Sequence, residues 1–224
     1  MSYPVITLDG PGGAGKGTIS RLVAEALGWH LLDSGAIYRL AALSCRRQGV
    51  ALDNEGRVAE LARALDIAFE PEEATTRVLL GGEDVSCAIR TEQAGGDASR
   101  VASLPSVRQA LLDRQRHFAM SPGLVADGRD MGTVVFPTAA LKIFLTASAD
   151  ERAQRRWRQL QEAGIHASLP DLLKEIQTRD ARDMERSTSP LVPAEDAIVL
   201  DTTSSSIEDV VSHVMSLAQA RQLT

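Results

Sequence analysis

Residues 5–18 read V-I-T-L-D-G-P-G-G-A-G-K-G-T. Val5-Ile6-Thr7-Leu8 is an apolar run of strand length. Lys16 opens a segment with apolar residues at helical spacing (Ile19, Leu22, Val23, Ala26, Leu27) that stops at Gly28, a good C-terminal cap. Between the two lies a glycine-rich loop of Gly10, Pro11, Gly12, Gly13, Ala14, Gly15, Lys16, Gly17 and Thr18. Glycines let backbone curl closely around phosphate oxygens. The loop N–H groups and the positive end of the following helix then point at the anion, and Lys16 adds a full charge for the β- and γ-phosphates. Strand, loop and helix in this order predict a site for a nucleoside triphosphate.

The rest of the chain alternates in the same way. Short apolar runs at His30–Leu32, Leu124–Asp127, Leu141–Leu145 and Ile198–Leu200 read as strands. Helical patterns run over 36–47, with Ser34 as cap, and over 106–118, 149–163, 169–186 and 207–217. Strands alternating with helices predict an α/β fold: a three-layer α/β/α arrangement around a central parallel sheet. The stretch from Asp53 to Asp97 differs. It reads as one helix (57–65) and β-like pieces at 67–69 and 77–80, with Gly81-Gly82 as a hairpin turn into 84–86. An inserted subdomain is expected there.

The chain has 224 residues, 44% hydrophobic and 24% charged, enough for one domain with a substantial core. The net charge of -6 argues against a general nucleic-acid binder. Cys45 and Cys87 have no metal-like spacing and are expected to be reduced, packed thiols. His30, His117, His166 and His213 are scattered and form no metal pattern. With no signal-like N-terminus and no apolar run of spanning length, no membrane association and a cytoplasmic location are the expectation.

Beyond the loop, Asp127 ends an apolar strand, where a carboxylate holds the hydration shell of Mg²⁺. Gly128-Arg129-Asp130 follows at the carboxyl end of that strand, where open α/β sheets place ligands. Arg129 suits a phosphate and Asp130 an exocyclic base amine. Arginine binds phosphate oxygens through a planar, permanently charged fork, and Arg39, Arg129, Arg155, Arg179 and Arg186 are candidates. For any one of them alone, a solvated helix face is the plainer reading.

The loop form G-x-x-x-x-G-K-G-T, with Gly17 where many such loops carry Ser or Thr, is the one seen in nucleoside monophosphate kinases. The ordered blocks I-T-L-D-G-P-G-G-A-G-K-G-T (6–18), L-L-D-S-G-A-I-Y-R (31–39), G-E-D-V-S (82–86) and I-R-T-E (89–92) extend the likeness. V-R-Q-A-L-L (107–112), A-D-G-R-D-M-G-T-V-V-F-P (126–137), K-I-F-L-T-A-S (142–148), R-D-x-R-D (179–183) and P-L-V-P-A-x-D-A (190–197) complete it. The sequence resembles the bacterial cytidylate kinases, those with an extended insert for the nucleoside monophosphate (NMP).

The resemblance implies a single P-loop kinase domain over 1–224, with a core at 1–55 and 105–224, an NMP-binding insert at 56–104 and a short lid at 153–167. It implies transfer of the γ-phosphoryl group of ATP to CMP or dCMP, with Mg²⁺ held by Thr18 and Asp127, partly through water. Lys16, Arg129, Arg186 and Arg155 would be catalytic. Ser34 would stand at the acceptor entrance, and Arg39, Arg129 and Arg186 would hold the acceptor phosphate. Ser99, Arg108 and Asp130 would read the cytosine, and Arg179 and Asp183 would contact the sugar. Arg155 would lie near the donor ATP, with Arg152, Arg156 and Arg158 as rivals for stacking on adenine. A monomer is implied. Two other readings stay open: a P-loop kinase of a non-nucleotide small molecule, and a non-catalytic nucleotide-binding module.

Overall fold

The computed structural model describes residues 3–71 and 76–224. In chain order the elements are β1 (Val5–Asp9), α1 (Lys16–Leu27), β2 (His30–Asp33), α2 (Ser34–Arg47), α3 (Glu55–Arg63), β3 (Ile67–Pro71), β4 (Thr76–Leu80) and β5 (Glu83–Asp84). They continue with α4 (Glu92–Val101), α5 (Pro105–Arg116), β6 (Leu124–Gly128), β7 (Leu141–Thr146), α6 (Ala149–Glu162), α7 (Leu169–Glu185), β8 (Ile198–Asp201) and α8 (Ile207–Ala220). A 3₁₀ turn at Ala88–Arg90 and a π-helical turn at Met131–Val135 lie between them.

Two compact units result, one of Met1–Asp33 and Arg116–Thr224, the other of Ser34–Gln115. The first holds a five-stranded sheet in the order β2-β6-β1-β7-β8, in which every pairing is parallel. β1 lies at its centre and is buried along its whole length, as a strand covered on both faces must be. Its Ile6 and Leu8 pack with Ile19 and Val23 of α1, Leu141, Ile143 and Leu145 of β7, and Val210 and Val214 of α8. The residues between them, Thr7, Asp9, Lys142 and Phe144, point to the other face and are buried too. The expected parallel α/β sheet flanked by helices is therefore present. α1 ends as its sequence predicts: Gly28 adopts φ 64°, and its N–H donates to the Ala24 and Glu25 carbonyls.

The second unit packs α2 on a small antiparallel sheet in the order β3-β4-β5. Ile67 faces Leu80 and Phe69 faces Val78 across β3 and β4, so alternate residues make one apolar face. Gly81 and Gly82, both at positive φ, form the two-residue turn between Leu80 and Glu83.

Three sequence readings need correction. Ser34 does not stand outside α2 as a cap; it is the first helical residue, and its hydroxyl donates to Gln115 Oε1 at 2.6 Å. Residues 92–101, where no element was expected, form α4, which starts where Thr91 Oγ1 accepts the Ala94 N–H. Cys45 is packed, but Cys87 is exposed.

Candidate active site

The carboxyl edge of the five-stranded sheet gathers most of the expected chemistry of the first unit. Gly10 follows β1 at φ 145°, and a Cβ there would stand 2.0 Å from the Leu145 carbonyl oxygen. Only glycine lets the loop leave β1 so close to β7. The loop ends at Gly15 (φ 89°), which precedes α1 and offers no side-chain cap. The first turn of α1 carries no acidic residue either. Its amide groups and dipole are thus available to an anion, with no carboxylate on that turn competing for them.

Lys16, 5% exposed, donates to the Pro11 carbonyl at 2.9 Å and stands 3.9 Å from Asp127 Oδ1. Burial pushes its ammonium down to about 7; Arg129 and Arg179 push the same way, while Asp127 and Asp9 oppose them. The guanidinium groups reach the same loop: a Cβ on Gly12 would lie 3.4 Å from Arg129 Nη2 and 3.6 Å from Arg179 Nη1. Three cations therefore gather around one glycine turn. Like charges crowd together there, the arrangement that a polyphosphate relieves.

Asp127 is the penultimate residue of β6, next to β1 and paired with Leu8. A Cβ on Gly17 would lie 3.5 Å from its Oδ2, so the carboxylate borders the start of α1. Thr18, one residue further, is exposed. Among the described residues no three His, Cys, Asp or Glu side chains cluster as a metal cage. One carboxylate and one hydroxyl beside a phosphate loop fit Mg²⁺, which retains waters and takes further oxygens from the phosphates.

Arg129 donates from Nε to Asp183 Oδ2 at 3.2 Å and from Nη1 to the Gly128 carbonyl at 3.2 Å. Asp183, on α7, is buried. It therefore orients Arg129, whatever else it contacts. Arg186 ends α7, and its Nε donates to the Ser189 carbonyl at 2.6 Å. Asp130 is 2% exposed and begins the π-helical turn.

The four α6 arginines separate clearly. Arg152 is buried and donates to the carbonyls of Gly12 (3.1 Å) and Ala147 (2.9 Å) and to Asp180 Oδ2 (2.6 Å). It underpins the loop and ties α6 to α7. Arg155 donates to Glu151 and to Thr202, whose hydroxyl in turn donates to the Ala14 carbonyl at 3.2 Å. Arg156 donates to Gln159, and Arg158 to the Gln154 carbonyl and to Glu151, all on α6. Sequence reasoning assigned nothing to Thr202, Asp180 or Asp9. Asp9 and Thr202 bond backbone groups far along the chain and Asp180 bonds the Arg152 guanidinium; Asp9 and Asp180 lie inside motif blocks that give them no role.

The second unit places Ser34 and Arg39 on α2, Ser99 on α4 and Arg108 on α5. Ser34, Ser99 and Arg108 are buried. Arg108 lies over the Tyr38 ring, 5.5 Å from its centroid, and donates to the Ala102 carbonyl at 3.1 Å. Gln115, also missed, is buried and accepts the Ser34 hydroxyl. Arg39 Nε is buried without a hydrogen bond. α2, which carries it, packs against α4.

Comparison with known proteins agrees with this chemistry. The chain is 58% identical over 220 residues to a cytidylate kinase of Saccharophagus degradans, covering 98% of each chain. It is 59% identical over 213 residues to a cytidylate kinase of Photobacterium profundum, covering 95% of this chain and 93% of that one. Among solved structures, a gluconokinase from Sinorhizobium meliloti 1021 is similar at a TM-score of 0.48 and 15% identity, over 98% of this chain and 94% of that one. The family profile for cytidylate kinase matches residues 6–220, and the chain belongs to that family.

Proposed function

We propose that the protein is an ATP-dependent (d)CMP kinase, cytoplasmic and monomeric, which gives ADP and CDP or dCDP by direct in-line transfer. The observation that carries this reading is the convergence of Lys16, Arg129 and Arg179 on the Gly12 turn, with the Lys16 ammonium already destabilised there. Two phosphate-bearing substrates must be brought together during the reaction. Their mutual repulsion is the main barrier that positioned cations remove.

In this reading Gly10 to Thr18 cradle the ATP phosphates. Thr18 and Asp127 would hold Mg²⁺, partly through water, and the ion would supply charge neutralisation for the transfer. Lys16 follows the γ-phosphoryl group, and its proton is restored once the phosphates offset Arg129 and Arg179. Arg155 borders the donor site through Thr202 and the Ala14 carbonyl. Arg39, Arg129 and Arg186 hold the acceptor phosphate, with Ser34 at its entrance. Arg108 donates to the cytosine ring and carbonyl acceptors, Asp130 accepts from its amine, and Ser99 completes the set. Arg179 and Asp183 serve the sugar. Residues 56–104 form the acceptor-binding insert and 153–167 the lid, and their closure excludes water. No base needs to activate the acceptor, because its phosphate is already an anion.

The test is ADP formation from Mg-ATP with CMP, dCMP, UMP, AMP and GMP, each alone. Turnover with CMP and dCMP, less with UMP and negligible with purines, is expected. Turnover with none of them, while ATP still binds, would move the acceptor to another small molecule or make the site non-catalytic.

A further inference from the structure

Asp9 is the last residue of β1 and is 5% exposed, and none of the roles above uses it. Its two carboxylate oxygens are both engaged. Oδ1 accepts the Met131 N–H at 2.8 Å and Oδ2 accepts the Gly132 N–H at 2.7 Å. These are the first two residues of the π-helical turn, and the residue in the capping position, Asp130, gives that turn no side-chain cap. The first amides of any helical turn lack partners inside it. Here a carboxylate from a different strand supplies both acceptors, and its charge faces the positive end of the turn.

The surroundings make this grip narrow. Asp9 pairs with Gly128 in the β1–β6 register. The next residue is Gly10, fixed against Leu145. Gly132 is seated equally closely: a Cβ there would lie 2.9 Å from Thr7 Oγ1 and 3.2 Å from the Lys142 side chain. Asp127 is the penultimate residue of β6, and Arg129 and Asp130 are the two residues between that strand and this anchored turn. Their direction is set at one end by β6 and at the other by Asp9.

We propose that Asp9 is a positioning residue for phosphoryl transfer: its bidentate grip on the Met131 and Gly132 amides holds the Asp127–Asp130 segment in fixed register with the start of the glycine loop. An asparagine is nearly isosteric but has one acceptor oxygen, and its amide would face one N–H donor to donor. That explains why a carboxylate stands here although burial pushes it up to about 7, against the two amide bonds that lower it, with Asp130 raising it and Lys16 lowering it further. The proposal rests on the reading of residues 127–130 as part of the phosphoryl-transfer site.

Asp9→Asn and Gly132→Ala, assayed beside the wild type, test it. Asp9→Asn is expected to lower kcat for CMP ~30-fold, with the ATP dissociation constant within about twofold of wild type, because Arg129 and Asp127 are misaligned while the loop still binds. Gly132→Ala, which pushes the turn off Thr7, is expected to lower kcat in the same pattern by a smaller factor. Amide hydrogen exchange reads the grip without any acceptor: the Met131 and Gly132 amides should lose protection in Asp9→Asn while those of β6 keep theirs. Unchanged kcat in both variants, or protection lost evenly across the sheet in step with the melting temperature, would overturn the positioning role. If wild type fails on CMP while the exchange pattern holds, the acceptor reading falls and the grip stands.

Discussion

The two units treat charge in opposite ways. In the first, Lys16, Arg129 and Arg179 surround one glycine turn, and the lysine is pushed down to about 7 by burial and then by its cationic neighbours. In the second, the expected site residues are mostly satisfied internally: Ser34 donates to Gln115, and Arg108 is stacked on Tyr38 and bonded to the Ala102 carbonyl. The first arrangement stores repulsion that a polyanion relieves; the second is pre-shaped, and its Arg39 Nε is buried without a hydrogen bond. Substitutions should therefore split. In the first unit they should change turnover strongly and cost the unliganded protein little, except where they strand a buried carboxylate such as Asp183. In the second they should change acceptor affinity.

The largest effect is expected for Lys16→Met. Turnover should fall by ~10³-fold or more, since the charge is needed only as phosphate charge is transferred. The melting temperature of the unliganded protein should stay level or rise, because a desolvated, repelled ammonium is replaced by an apolar chain of similar length. A clear fall in melting temperature would break the contrast at its root.

Arg129→Lys comes next. It keeps the charge but loses the fork that spans Asp183 and the Gly128 carbonyl. A drop of ~10²-fold in kcat is expected in the coupled assay, with a small change in ATP binding. Arg129→Met goes further and removes the ion-pair partner of buried Asp183, at a cost of about 3 kcal/mol in a denaturant melt. Equal stability in the two variants would mean that Asp183 does not depend on Arg129.

In the second unit Arg108→Met should raise KM for CMP by ~10-fold, the worth of a charged hydrogen bond to a neutral acceptor, and leave KM for ATP unchanged. A fall in kcat with KM for CMP unaltered would place Arg108 with the cations of the first unit and erase the distinction.

The sequence made these two regions unequally legible. β1, the glycine loop and α1 are marked by a contiguous pattern, β6 and β7 by apolar runs that a covered parallel sheet requires, and the edge strand β8 by a shorter, half-exposed one. α4 was missed because Gly95-Gly96 and Asp97 weaken its helical pattern, although Thr91 followed by Glu92 offered a start signal. Its stability comes from packing on α2 and the Arg46–Asp97 ion pair, partners distant in sequence. The π-helical turn was illegible for the same reason, since its first two amides are satisfied by Asp9, 122 and 123 residues earlier. The motifs named candidate residues, but not the bonds that hold the glycine loop: Arg152, named only as a rival for adenine, and Thr202, not named, bond backbone carbonyls that carry no sequence signature.

The smallest expected effect is a pH dependence that isolates Lys16. Its folded value of about 7 lies below the ordinary 10.5 of an unfolded chain. Between those values the unfolded chain holds a proton that the folded one has released, so stability rises with pH across that window. Below about 7 both states carry the proton, and the cost of burying the charge is present in full. Lys16→Met has no such group, so the unliganded wild type should gain on it as pH rises from 7 toward 9.5. Asp9 works in the same direction: without Lys16 its carboxylate is pushed above about 7, and the variant loses stability where the wild type is already ionised. The slope is at most about 1.4 kcal/mol per pH unit for one group, read as ~2–4 °C per kcal/mol in a thermal melt. ATP at saturation should abolish the wild-type slope, because bound phosphates keep Lys16 protonated throughout. A slope that survives ATP would assign the titration to some other group and remove the repulsion on which the contrast between the two units depends.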